Sequence, residues 1–178
     1  MPAVPDPVVP VPDTKDWTHV ITAGCSVCGF VPPSDPGRTG ERLCASLSRW
    51  QEALRHPEAR TRPEPAVWST VEYAAHVRDV CRVFRGRLEL MLAEDDPAFA
   101  NWDQDQTALA ERYWEQEPDV VARELGAEVG ASAAAFDGVS GTQWDRSGRR
   151  SNGSVFTVST LATYFLHDVE HHLHDVGA

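Results

Sequence analysis

Residues 164–176, YFLHDVEHHLHDV, hold four of the seven histidines in a chain of 178 residues. Leu161, Phe165 and Val169 recur every fourth residue through this region, which marks a helix with one apolar face. With His167 set at 0°, a helical step of about 100° puts His171 at about 40°, His174 at about −20°, Tyr164 at about 60° and Thr160 at about 20°. These residues form a polar stripe containing two imidazoles four positions apart, and such a pair reaches one metal ion from successive turns. His172 falls at about 140°, on the apolar side, and is the histidine least expected to bind. Thr157 or Ser159 starts this helix and Gly177 stops it.

Working outward, three more helical patterns appear. Leu43, Leu47, Trp50 and Leu54 share a face from about residue 38, and the prolines of HPEARTRPEPA (56–66) end that helix. A longer helix is expected over about 66–93, with Val77, Val80, Cys81, Phe84, Leu88 and Met91 on one face and Arg78, Arg82, Arg85 and Glu89 on the other. Ser69, three residues ahead of Glu72, fits a capping box there. Residues 106–117 and 118–138 also read as helical, with Pro118 suited to a first turn. The stretch GVSGTQWDRSGRRSNGSVF (138–156) is turn-rich and reads as a long loop or a short extended excursion. No strand pattern of comparable strength appears. The expected fold is all-α: a four-helix bundle over 38–178, preceded over 1–37 by a proline-rich arm and a cysteine-containing loop.

The totals exclude several partners. A net charge of −11 argues against nucleic acid and against a polybasic membrane contact. No apolar run is long enough to span a bilayer. The N-terminus has five prolines in its first twelve residues and no basic start, so it reads as an extended tail and not as a signal peptide, and the cytoplasm is the expected location. Four cysteines in such a chain do not suggest a disulfide framework, and Cys81 reads as a small buried hydrophobe. A bundle with a proline arm is compatible with a homodimer.

Two histidines do not close a metal site. On the long helix His76 sits at the edge of the apolar stripe, where a side chain points into a cleft between helices without entering the dry centre. Neutral imidazoles from His76, His167 and His171 would leave a position open on zinc, nickel or iron, as a catalytic metal requires. A solvated stripe with no function is the competing reading, because histidine pairs at this spacing also arise by chance.

WSTVEYAAHVRDV (68–80) and FTVSTLATYFLHDVEHHLHDV (156–176) together resemble the DinB/YfiT superfamily of four-helix metalloproteins. The resemblance covers most of residues 38–176. It implies a histidine on the second helix and a His-x-x-x-His on the last, matched here by His76, His167 and His171. It also implies thiol-dependent chemistry of the kind seen in low-molecular-weight thiol S-transferases and a mycothiol-using maleylpyruvate isomerase. In that chemistry a divalent ion favours the thiolate of a small-thiol cosubstrate, which attacks an electrophilic carbon of a small molecule. A non-catalytic metal- or ligand-binding bundle (a sensor or stress protein) and a metal-dependent hydrolase are the alternatives.

Several residues could assist. Arg146, Arg149 and Arg150 precede the last helix in an otherwise acidic chain and are candidates for holding a substrate anion, or else a solvated basic loop. Tyr164 is a candidate hydrogen-bond donor to the cleft, and Asp168 a candidate for proton transfer or support of the ligands. The segment HVITAGCSVCGF (19–30) adds a Cys-x-x-Cys pair outside the family core. His19, Cys25, Cys28 and Cys44 are a candidate second metal set; a redox dithiol and inert thiols are the other readings.

Overall fold

The computed structural model describes residues 15–178 together with Val8 and Pro10, so most of the proline-rich arm lies outside the described residues. The helices are α1 (Val20–Ala23), α2 (Thr39–Arg55), α3 (Thr70–Ala93), α4 (Gln104–Ala110), α5 (Pro118–Asp137) and α6 (Val158–Asp175). Helices α2, α3, α5 and α6 make the bundle. Both α2 and α3 pack against α5 and α6, with little direct contact between α2 and α3, which face each other diagonally.

The periodic apolar positions meet in one core. Leu43 and Trp50 of α2, Val77 and Leu88 of α3, Leu125 and Val129 of α5, and Leu161 and Phe165 of α6 are all fully buried. The Phe165 ring stacks on Phe84 at 5.1 Å and tilts against Phe136 at 5.8 Å, locking α6 to α3 and α5. Each such side chain contributes roughly 1.5–3 kcal/mol by leaving water.

Two caps set the register of the helices that carry the histidines. At the start of α3, Ser69 Oγ accepts from the Glu72 N–H, and the Glu72 carboxylate accepts from the Ser69 N–H at 2.8 Å. The buried Glu72 carboxylate is also paired with Arg62, which offsets its desolvation. This fixed start delivers His76 to the second turn. At the start of α6, Thr157 and not Ser159 is the cap, exchanging hydrogen bonds with Thr160.

Where sequence periodicity was weak, the structure differs from expectation. The long helix begins at Thr70, after the proline-containing segment, and not near residue 66. Residues 106–117 are not one helix: α4 ends at Ala110, Arg112 adopts a left-handed φ of 47°, and a single 3-10 turn covers Tyr113–Glu115. The segment before α6 forms part of a small sheet of β1 (Ala98–Phe99), β2 (Ser147–Arg150) and β3 (Val155–Thr157). Strand β2 pairs parallel with β1 and antiparallel with β3. Its backbone runs so close to α3 that a Cβ on Gly148 would lie 2.7 Å from Met91 Cγ. Cys81 is buried as expected, with desolvation pushing its thiol up to about 12. No described helix is long and apolar enough to cross a membrane.

Candidate metal centre

Helix α6 presents two ligand pairs, offset by one residue, to two different neighbours. His167 and His171 face the cysteine loop; Asp168 and His172 face α3. Each pair has the four-residue spacing that brings side chains together on successive turns. One donor atom each from His76, Asp168 and His172 lies within 4.8 Å of the others, and the same holds for Cys25, Cys28, His167 and His171. The structure therefore does not bring His76 together with His167 and His171. The reason is rotational: α3 packs against the stripe one residue further round α6.

In the first cluster His76 is fully buried, deeper than the cleft edge anticipated for it. Its ring stacks on Trp102 at 5.5 Å and tilts against Trp68 at 5.4 Å. His76 Nε2 approaches Asp168 Oδ1 to 3.3 Å, yet among the described residues both ring nitrogens of His76 and this buried carboxylate oxygen lack a well-formed hydrogen bond. Asp168 Oδ1 is also 3.7 Å from His172 Nε2. The other nitrogen of His172 lies 2.8 Å from Asp175 Oδ2, a contact in which Nδ1–H donates and Nε2 keeps its lone pair.

These atoms fit a divalent cation. Ligands held about 2.0–2.2 Å from a tetrahedral ion sit roughly 3.3–3.6 Å from each other, close to the separations found. A lone-pair nitrogen and a carboxylate oxygen pointed at one place without hydrogen bonding are costly unless a cation joins them. The electrostatics agree: burial holds His76 below its ordinary value and therefore neutral. Burial works to raise Asp168, but the surrounding imidazoles outweigh it and keep the carboxyl below its usual range. The Asp175–His172 contact supplies the outer carboxylate that commonly orients a metal-bound imidazole.

The second cluster joins the loop to α6. Cys25 Sγ lies 3.8 Å from His171 Nδ1. His167 is buried between Trp17 and Phe30, each at 5.3 Å, and its Nε2 has no hydrogen-bond partner. Burial, reinforced by His171, pushes His167 down to about 4. Neither other member of the proposed His19, Cys25, Cys28, Cys44 set takes part. His19 is exposed with its Nδ1 on the Asp16 carbonyl, and Cys44 is exposed on α2.

Both clusters border one open cavity of about 770 Å³, whose wall includes Trp17, Trp68, Asn101, Trp102, Asn152, Ser154 and Tyr164. Of the three candidate arginines only Arg150 lines it, above the Tyr164 ring at 5.8 Å. Arg146 instead donates to the Met91 and Glu94 carbonyls, and Arg149 pairs with Asp96 away from the cavity. Tyr164 packs between Phe84 and Phe156 while lining the cavity. Sequence reasoning missed His172 as a donor and Asp175 as its support. The available signal was Asp168-x-x-x-His172, a second pair one residue out of step with the first.

A helical bundle with buried, convergent histidine and carboxylate donors beside a cavity is the architecture of a candidate metal centre. The family model described as the DinB superfamily matches residues 40–176, and the chain belongs to that superfamily. Among solved structures the fold is similar to YfiT from Bacillus subtilis, described as a probable metal-dependent hydrolase with an unusual four-helix bundle topology. That likeness has a TM-score of 0.70 and 16% identity, over 83% of this chain and 91% of that one. No curated protein matches the chain in sequence.

Proposed function

We propose that the protein is a metal-dependent enzyme whose divalent ion, held by His76, Asp168 and His172, activates a small thiol for transfer to, or isomerisation of, an electrophilic small molecule. The observation that carries this is the convergence of His76 Nε2 and Asp168 Oδ1 at 3.3 Å, buried and without a well-formed hydrogen bond among the described residues, beside the cavity. Two neutral imidazoles and one carboxylate suit zinc first, with nickel or iron as alternatives, and three protein donors leave a position for a reactant. When bound, a divalent ion held by these residues would supply Lewis-acid stabilisation of a thiolate at neutral pH.

The chain's own residues do the rest. Asp175 holds the His172 ring with Nε2 facing inward. Trp68 and Trp102 cover His76 and keep water from its far side. Arg150 stands on the cavity wall where a carboxylate on the electrophile would reach it, and Tyr164 offers a hydroxyl on the same side. Asn101, Asp103, Gln104, Asn152 and Ser154 make the wall rich in hydrogen-bonding groups, which favours a polyhydroxylated thiol of the mycothiol kind over an apolar one. The description given to YfiT favours a second reading, hydrolysis, with water in the thiol's place.

The test is a zinc-loaded protein assayed against carboxylate-bearing electrophiles with and without small thiols. Consumption only in the presence of thiol, lost in His172→Ala, is the expected result. Turnover in thiol-free buffer would transfer the site to the hydrolytic reading, and no turnover with metal bound would leave a metal-binding bundle without catalysis.

A further inference from the structure

We propose that Cys25, Cys28, His167 and His171 form a second, closed zinc site that fastens the N-terminal loop to α6. This goes beyond the site at His76 and does not depend on it. The donors come from two segments far apart in the chain, and one donor atom from each lies within 4.8 Å of the other three. Cys25 Sγ and His171 Nδ1 are 3.8 Å apart. Zinc–sulfur and zinc–nitrogen bonds of about 2.3 and 2.0–2.1 Å place such atoms roughly 3.5 Å apart in a tetrahedron, close to that sulfur–nitrogen separation.

A separate observation points to a ligand here. His167 is 4% exposed, and its Nε2 is buried with no hydrogen-bond partner. The ring is held by Trp17 and Phe30, which position it but offer no acceptor or donor to that nitrogen.

The loop is shaped to present two sulfurs. Cys25 pairs with Phe30 through its N–H at 3.0 Å, and the Gly29 N–H closes the turn on the Cys25 carbonyl at 2.9 Å. The turn needs positive φ at Gly24 (69°) and Gly29 (76°), and a Cβ on Gly24 would lie 2.5 Å from the Phe30 carbonyl oxygen. Two thiolates and two neutral imidazoles balance the charge of one Zn²⁺, and sulfur–nitrogen donors select against magnesium and calcium. Four protein donors leave no open position, so this ion is structural. It holds Trp17, on the cavity wall, against His171 at 4.9 Å. Binding two protonated thiols releases two protons to solvent, with no change of oxidation state.

The experiment is cobalt substitution of the full chain, with metal content measured in parallel. Thiolate-to-cobalt charge-transfer absorption and intense tetrahedral d–d bands are expected. Cys25→Ser should remove them with the loss of one metal ion per chain, whereas His76→Ala should leave them in place. Alkylation of the zinc-loaded wild type gives a check that needs no variant. Cys25 and Cys28 should react about tenfold more slowly than after chelation, while exposed Cys44 reacts equally in both. A cobalt protein without sulfur charge transfer, equal alkylation with and without chelator, or a Cys25–Cys28 disulfide in protein of undiminished zinc content would each overturn the proposal.

Discussion

Asp175 Oδ2 accepts from His172 Nδ1 at 2.8 Å, and this contact makes Nε2 the nitrogen that faces Asp168. The second oxygen of the same carboxylate lies 3.8 Å from His171 Nε2, so Asp175 stands between the two clusters on α6. Asp175→Asn should lower metal affinity at the His76 centre by about 10–100-fold without unfolding the bundle. Competition titration against a chelator measures this, and unchanged affinity would remove Asp175 from the account.

Acid should weaken the metal-free protein. Burial holds His76 and His171 below their ordinary values and His167 at about 4, against 6.5 for a free imidazole. Between pH 6.5 and 4 the unfolded chain binds more protons than the folded one, so these depressed groups contribute stability that is present above 6.5 and lost as pH falls. Thermal melts of chelator-treated protein should therefore give a lower Tm at pH 5 than at pH 7.5. A flat or inverted profile would contradict the buried, neutral state of these rings.

The arginines before α6 should separate by role. Arg146→Ala removes charged hydrogen bonds to the Met91 and Glu94 carbonyls and should cost about 1–3 kcal/mol of stability in denaturant melts. Arg150→Ala should leave the melt nearly unchanged while raising KM for carboxylate-bearing substrates and sparing uncharged analogues. Equal effects on both substrate types would deny Arg150 its anion-binding role.

Gly148 tests the sheet's place against the bundle. A Cβ there would meet Met91 Cγ at 2.7 Å and Phe99 Cε1 at 2.9 Å, so Gly148→Ala should destabilise the fold by about 1–3 kcal/mol through overpacking. Denaturant midpoints measure it; a neutral substitution would mean that β2 is free to lift from α3.

The bundle was legible because its helices repeat apolar residues over many turns, and because Ser69 and Thr157 carry recognisable caps. The sheet was not, since strands of two to four residues offer no alternation to read. His76 was found from its place beside the apolar stripe, but its full burial depends on Trp68 and Trp102 closing over it, a tertiary event. The choice between His167/His171 and Asp168/His172 was beyond spacing alone. Both pairs have the same period, and only the packing of α3 and the cysteine loop on different flanks of α6 decides which donors each pair meets.

The most direct test is an anomalous-difference map from zinc-loaded crystals, collected on both sides of the zinc edge. A peak about 2.0–2.2 Å from His76 Nε2, Asp168 Oδ1 and His172 Nε2 is expected. A peak shared by His76, His167 and His171, or none beside His76, would contradict it.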